Sequence, residues 1–192
     1  MKIGVLGGSF NPPTMAHIEL SKKCIENGLC EKVIWVPVND AYGKSTNISS
    51  KHRVNMVKLA LKNEPNIDYS LHELDYDRVV RTVESMEILH DKIPQDELFF
   101  IAGADKLVLK WMQKERFISQ FGYILVNRGD VNCIDVINSV PTLKKYSSKI
   151  KILDYYSDVS STMVREQIKK GSKSDLISQP VLDYIKENRL FM

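Results

Sequence analysis

At 192 residues and 22.0 kDa, with 43% hydrophobic residues, the chain has the apolar content for one domain with a substantial core and little room for a second full one. Its 27 basic and 24 acidic residues, net charge +3, are interspersed along the sequence, which argues against nucleic acid as the main partner. No apolar run reaches the roughly 18–20 residues of a membrane span, the glycine-broken opening is too short for a signal peptide, and three cysteines without a CxxC pair (Cys24, Cys30, Cys133) indicate neither a zinc site nor a disulfide framework, so reduced thiols in a cytoplasm are expected.

In chain order, "KIGVL" reads as a strand, "GGSFNPPT" as a turn, and "MAHIELSKKCIEN" as a helix whose spacing is clearest over residues 18–27. "KVIWVP" is a second strand, followed by the polar loop "NDAYGKSTNISS". Residues 51–62 have helical spacing with Val54, Val57 and Leu61 on one side, and residues 80–91 form the next helix. "ELFFIAG" and "GYILVN" are short, β-branched or aromatic bursts of the kind found in strands buried on both faces, and "KIKIL" near residue 150 is a further candidate. The alternation predicts right-handed βαβ crossovers and an α/β, Rossmann-like, doubly wound parallel sheet that binds its ligands at the carboxyl ends of the strands. The tail adds two helices. One starts at Ser160, Ser161 and Thr162 and ends at Gly171; the other, after the loop "KKGSKSDLISQ", carries Pro180 in its first turn. Residues from about 160 to 192 are thus the helical end of a single domain spanning 1–192.

Two helix starts carry chemistry. In "GVLGGSFNPPTMAHIELS", Gly7 and Gly8 allow a ligand close to the backbone, and the free amides and dipole of the following helix favour an anion. The pattern is neither GxGxxG nor a Walker loop, since no GK[ST] follows, which weakens a dinucleotide-oxidoreductase reading. Thr14 and His17 fall three apart where the helix begins. On their own they also fit a tight turn with a packed or capping histidine. In "DVSSTMVREQIKKG", Ser160, Ser161 and Thr162 open a helix with Arg165 one turn in, so hydroxyls, amides and a guanidinium can converge on one anion, although an ordinary N-cap looks the same. Two such starts in one α/β chain point to phosphate.

"GGSFNPPTMAH" resembles the (H/T)xxH motif of the nucleotidylyltransferase superfamily, with Thr14 and His17 at its two positions, and "VSSTMVRE" resembles its ISSTxxR partner. Within that superfamily the chain is most similar, nearly end to end, to the nicotinate-nucleotide adenylyltransferases: "KHRVNMVKLAL", "FFIAGADKL" and "PVLDYIKENRLF" resemble segments of that family. The resemblance implies transfer of AMP from ATP to nicotinate mononucleotide, giving deamido-NAD and pyrophosphate, with Mg²⁺ accompanying ATP. It implies catalytic roles for His17, Thr14 and Arg165, and ATP contacts from Gly7, Gly8, Ser9, Phe10, Ser160, Ser161, Thr162 and Asp105. On the mononucleotide side it implies Lys44 at the phosphate, Thr82 lining the pyridine pocket and Trp111 stacked on the ring. Plainer roles stay open: a solvated Lys44, Thr82 or Asp105 capping its helix, Trp111 in core packing. Three departures fall on the acceptor side. "DAYGK" keeps the lysine of a PPHK-like loop without its prolines and histidine, the tryptophan follows Gly-x-Asp early, and Ser85 replaces a second threonine. Nicotinamide mononucleotide, pantetheine phosphate or a cytidylyl acceptor therefore remain alternatives, as does a catalytically silent nucleotide-binding regulator, and a homo-oligomer is left open.

Overall fold

The computed structural model describes residues 1–43, 48–108, 113–127, 131–171 and 175–192. Lys44 and Trp111, two of the expected acceptor-side residues, lie outside them. In chain order the elements are β1 (Lys2–Gly8), α1 (Met15–Glu26), β2 (Lys32–Pro37), α2 (Ser50–Leu61), β3 (Ile67–Tyr69), α3 (Thr82–Lys92), β4 (Glu97–Gly103), α4 (Asp105–Val108), α5 (Lys114–Gln120), β5 (Gly122–Val126), α6 (Cys133–Ser139), α7 (Pro141–Lys145), β6 (Ile150–Leu153), α8 (Ser161–Lys169) and α9 (Gln179–Glu187).

The six strands pair in the order β3-β2-β1-β4-β5-β6, and every pairing is parallel. This is the doubly wound order, in which the connections reverse direction between β1 and β4 and leave a crevice at the strands' carboxyl ends. Alternation along β1 splits the interior in two. Ile3 and Val5 pack on one face with Val83 and Met86 of α3 and Phe117 of α5, whereas Leu6 faces the other with Ile18 of α1, Met56 of α2, Val164 of α8 and Ile185 of α9. Gly4 keeps its strand flush, since a β-carbon there would come within 3.0 Å of Ile101 Cδ1 and 3.1 Å of Cys30 Sγ.

The expected strands and major helices appear with boundaries shifted by a few residues. β1 runs on through both glycines to Gly8, and α3 begins at Thr82 with Arg81 at the N-cap position, so Thr82 does not cap it. Gly171, at φ 71, turns the chain out of α8 in the left-handed conformation that a glycine C-cap supplies. β3 and the short helices α5 to α7 were not foreseen, and α4 was foreseen only as the helix that Asp105 would cap, whereas Asp105 is its first residue. β3 is a three-residue edge strand paired only with β2, too short to show a two-residue period. The last helix is clipped to α2 through the Tyr184 hydroxyl, which meets His52 Nδ1 at 2.9 Å and accepts from Asn55 Nδ2 at 2.9 Å. No helix of the described residues is long and apolar enough to cross a membrane.

Candidate active site

The first motif occupies the crevice. Thr14 is the N-cap of α1 and His17 its third helical residue, and the Thr14 backbone N–H donates to His17 Nδ1 at 3.0 Å, with Thr14 Oγ1 2.7 Å from the same nitrogen. Accepting that N–H leaves Nδ1 unprotonated, so the neutral ring carries its proton on Nε2. The half-buried imidazole is braced by Phe10 (centroids 5.2 Å apart) and Trp35 (5.9 Å), which stack on each other at 4.7 Å. Trp35 Nε1 donates to Ser21 Oγ at 2.9 Å, and that hydroxyl donates to the His17 carbonyl at 2.8 Å. Burial pushes the His17 pKa down to about 4, partly opposed by the Thr14 hydrogen bond. At neutral pH His17 is therefore an uncharged, oriented hydrogen-bond donor. The capping histidine and the chemically disposed histidine are one and the same.

The turn before it is not shaped by its glycines. Neither Gly7 nor Gly8 has a positive φ, while Phe10, only 1% exposed, sits at φ 46, a strained position for a bulky side chain. A β-carbon at Gly7 or Gly8 would come no nearer than 3.4 Å to any other protein atom, an ordinary contact. The protein has room for side chains there; what they would take up is the crevice, which Gly7 lines.

The second motif is tied to the first across more than 140 residues of sequence. Ser161 Oγ donates to the Pro12 carbonyl at 2.8 Å and Arg165 Nη1 to the Asn11 carbonyl at 2.9 Å, while Arg165 Nη2 donates to Thr162 Oγ1 at 3.0 Å. Ser160 caps α8, its hydroxyl accepting from the Met163 N–H at 3.3 Å. The two helix starts therefore converge on one turn, and two bonds leave the five-donor guanidinium unexhausted.

A cleft of about 570 Å³ opens beside this turn, lined among others by Gly7, His17, Thr82, Phe100, Lys106 and Ser157. An inner recess of about 120 Å³ shares Gly7, Thr82 and Phe100 with it and adds Gly8, Ser9 and Glu73. Of the expected residues, Gly7, His17 and Thr82 line the cleft and Gly8 and Ser9 the recess. Thr14 and Phe10 are buried behind His17, and Arg165 with residues 160–162 braces the turn without lining the cleft. Asp105 is the first residue of the four-residue α4, with Oδ1 buried and unpartnered and Oδ2 3.4 Å from Lys106 Nζ.

Three side chains were not singled out by the sequence. Arg53 is 4% exposed; Nη1 donates to the Ser9 carbonyl at 2.9 Å, and Nη2 to the Val38 carbonyl at 2.7 Å and Asp40 Oδ1 at 2.9 Å, joining the glycine turn to the chain after β2. The signal was legible: Arg53 lies four residues before Val57, on the apolar face of α2. Glu73, 5% exposed, keeps Oε2 without a partner in the wall of the recess, and burial raises its pKa while a hydrogen bond from Ser85 lowers it. Ser85 Oγ in turn lies 2.9 Å from His72 Nε2, and Ser70 Oγ 2.9 Å from His72 Nδ1. The third is Lys106.

A parallel sheet with two anion-ready helix starts at its switch point defines a nucleotide-binding α/β protein, and residues 5–167 match the family described as cytidylyltransferase-like. The chain is 34% identical to a probable nicotinate-nucleotide adenylyltransferase of Carboxydothermus hydrogenoformans and 32% identical to the nicotinate-nucleotide adenylyltransferase of Bacillus subtilis, in each case over 99% of this chain and 98% of the relative. The fold is shared with Plasmodium falciparum nicotinic acid mononucleotide adenylyltransferase complexed with NaAD, at a TM-score of 0.76 and 19% identity over 99% of this chain and 97% of that one. The chain belongs to the nicotinate-nucleotide adenylyltransferases of the cytidylyltransferase-like family.

Proposed function

We propose that this chain transfers AMP from ATP to the phosphate of nicotinate mononucleotide, giving deamido-NAD and releasing pyrophosphate. The observation that carries the reading is the oriented, neutral His17 on the wall of a cleft at the sheet's switch point, in a chain that aligns with nicotinate-nucleotide adenylyltransferases over 99% of its length. The nucleophile comes with the acceptor. A phosphate oxygen of the mononucleotide attacks the α-phosphorus of ATP in line, a new P–O bond forms, and the bond to the β-bridging oxygen breaks, so no protein nucleophile is needed.

The protein's part is positioning and charge stabilisation. His17 donates from Nε2 to an α-phosphoryl oxygen, where negative charge builds in the transition state, and the start of α1 adds its dipole. Thr14 holds the tautomer. Gly7, Gly8, Ser9 and Phe10 form the turn over which the phosphates lie, and Ser160, Ser161, Thr162 and Arg165 at the start of α8 hold the β and γ phosphates. Asp105 serves the ribose of ATP or orients its own loop; Lys44 takes the acceptor phosphate, and Thr82 and Trp111 its pyridine. Mg²⁺ arrives on ATP as part of the substrate, held by phosphate oxygens and water. In this reading residues 1–192 act as one domain, and the reaction takes place in the cytoplasm, which the three free cysteines suit.

One observation favours a second acceptor: the Glu73 carboxyl in the inner recess is suited to accept from the carboxamide of nicotinamide mononucleotide. An assay with ATP, Mg²⁺ and each mononucleotide or phosphopantetheine, following pyrophosphate and the dinucleotide product, decides the matter. A higher kcat/KM for nicotinate mononucleotide is expected. A ratio near one, or one favouring nicotinamide, overturns the acceptor while leaving adenylyl transfer intact; no pyrophosphate with any acceptor overturns the whole reading.

A further inference from the structure

We propose that the inner recess recognises the positive charge of the acceptor's pyridinium ring, with the Glu73 carboxylate as its counter-ion and the Tyr42 and Phe100 rings as its aromatic walls. The inference rests on the mononucleotide acceptor assigned above. It concerns the charge of the ring itself, which nicotinate and nicotinamide mononucleotides share, because a pyridine nitrogen bonded to ribose carries a formal positive charge.

Among the described residues lining the recess, Glu73 is the one charged side chain; it is 5% exposed, and its Oε2 has no hydrogen-bond partner. A buried carboxylate oxygen without a partner is costly, and a cationic ligand entering the recess supplies what it lacks. The residues behind Glu73 favour its charged form against the burial that opposes it. His72, held neutral by a pKa of about 4, has one ring proton. Placed on Nε2, that proton goes to Ser85 Oγ at 2.9 Å, the Ser85 hydroxyl donates to Glu73, and Nδ1 accepts from Ser70 Oγ at 2.9 Å. Every group in this chain is satisfied when Glu73 is ionised, which leaves Oε2 for a ligand.

The recess joins the cleft through four shared residues, Gly7, Tyr42, Thr82 and Phe100. Two of them are aromatic, and they come from the two sides of β1: Phe100 from β4, its ring 3.4 Å from where a β-carbon on Gly7 would lie, and Tyr42 from the chain after β2. Tyr42 is 41% exposed but its backbone is tied down. It ends the single turn Asp40–Tyr42, whose Asp40 accepts from Arg53 Nη2 at 2.9 Å and from the Ser50 N–H at 3.2 Å. A flat ring in the recess, with its phosphate extended toward His17 in the cleft, therefore has aromatic walls, and aromatic faces attract cations. Nicotinate mononucleotide also carries a carboxylate. Because opposite charges attract and like charges repel, the favoured pose brings the ring to Glu73 and turns the carboxylate away. Phosphopantetheine has no charged ring and gains nothing here, so the recess selects among acceptors by a difference that the phosphate motifs do not read.

The test compares each mononucleotide with its dihydro form, a molecule of nearly the same shape whose ring is uncharged, as acceptor of adenylyl transfer from ATP by the full-length protein. The wild type is expected to favour the charged form by about tenfold or more in kcat/KM, chiefly through KM, the scale of a desolvated cation–π contact reinforced by a charge pair. Glu73→Gln keeps the size of the side chain and removes its charge. It should lower kcat/KM for both charged mononucleotides by about tenfold and leave the dihydro forms within about twofold. Tyr42→Leu should narrow the preference by about threefold or more, and Tyr42→Phe should keep it. A wild type that uses charged and dihydro acceptors equally overturns the inference without recourse to any variant. So does a Glu73→Gln protein that loses both forms alike, which makes Glu73 a structural residue, or one whose loss is confined to nicotinamide mononucleotide, which assigns Glu73 to the carboxamide. The absence of pyrophosphate with every acceptor refutes the function itself, whereas transfer that ignores the ring charge refutes this inference alone.

Discussion

Replacing His17 with alanine removes two things at once, and the structure separates them. The lost Nε2 donor is oriented before substrate arrives, by the Thr14 N–H bond to Nδ1 and by the Phe10 and Trp35 rings. Deleting one such preorganised donor costs about 100- to 1000-fold in kcat, about 2.7–4 kcal/mol. The lost acceptor leaves the Thr14 N–H, in a residue 1% exposed, without its partner, which costs about 1–3 kcal/mol of stability. Two further variants divide the effects. His17→Asn places an amide oxygen near the position of Nδ1 but no donor at Nε2, so it should recover most of the stability and little of the turnover. His17→Gln reaches the Nε2 position but abandons the cap, and should do the reverse. Steady-state kcat at saturating ATP, measured on protein shown to be folded by a cooperative urea transition, is the assay. A folded His17→Ala with near-normal kcat would refute the catalytic role.

Arg165→Lys keeps the charge but loses the fork that reaches both the Asn11 carbonyl and Thr162, so it should raise the KM of ATP or pyrophosphate about tenfold or more and spare the acceptor; a change confined to the acceptor's KM places Arg165 on the wrong side of the cleft. Arg53→Met leaves the carbonyls of Ser9 and Val38 and the Asp40 carboxylate without their shared donor, and should cost about 2–4 kcal/mol in chemical denaturation together with a fall in kcat; unchanged stability would show that Arg53 does not hold the turn. Burial depresses both His17 and His72 from 6.5 to about 4, so below pH 6.5 the unfolded chain takes up protons that the folded one does not. Stability should be complete above pH 6.5 and fall as the pH drops toward 4, with His72 accounting for at most about 3 kcal/mol. His72→Gln should flatten that slope in Tm between pH 7 and 4.5, and an unaltered slope would mean that His72 is not the group titrating.

The resemblance of "GGSFNPPTMAH" and "VSSTMVRE" to a known pair of motifs, together with the alternation of apolar bursts and amphipathic stretches, was enough to place the fold, the family and the two helix starts that meet at one turn. These features are written locally: a strand buried on both faces shows as an unbroken apolar run, and a helix start shows in its capping residues. What local sequence could not carry is whatever depends on residues far apart meeting. The Arg165 bond to the Asn11 carbonyl spans 154 residues, and the Arg53 bond to Ser9 spans 44. The tautomer of His17 follows from an N–H three residues away, but its depressed pKa follows from burial, which no string of residues displays. The left-handed Phe10 is the sharpest instance. A turn with two adjacent glycines suggests that they take the unusual conformation, yet the stack of Phe10 on Trp35 places it on the aromatic and leaves Gly7 in the lining of the cleft and Gly8 in that of the recess. The sheet order likewise exists only in three dimensions, and it alone sets α1 and α8 on one face and α3 and α5 on the other, because which helices share a face is decided by how the crossovers wind and not by the helices' own sequences.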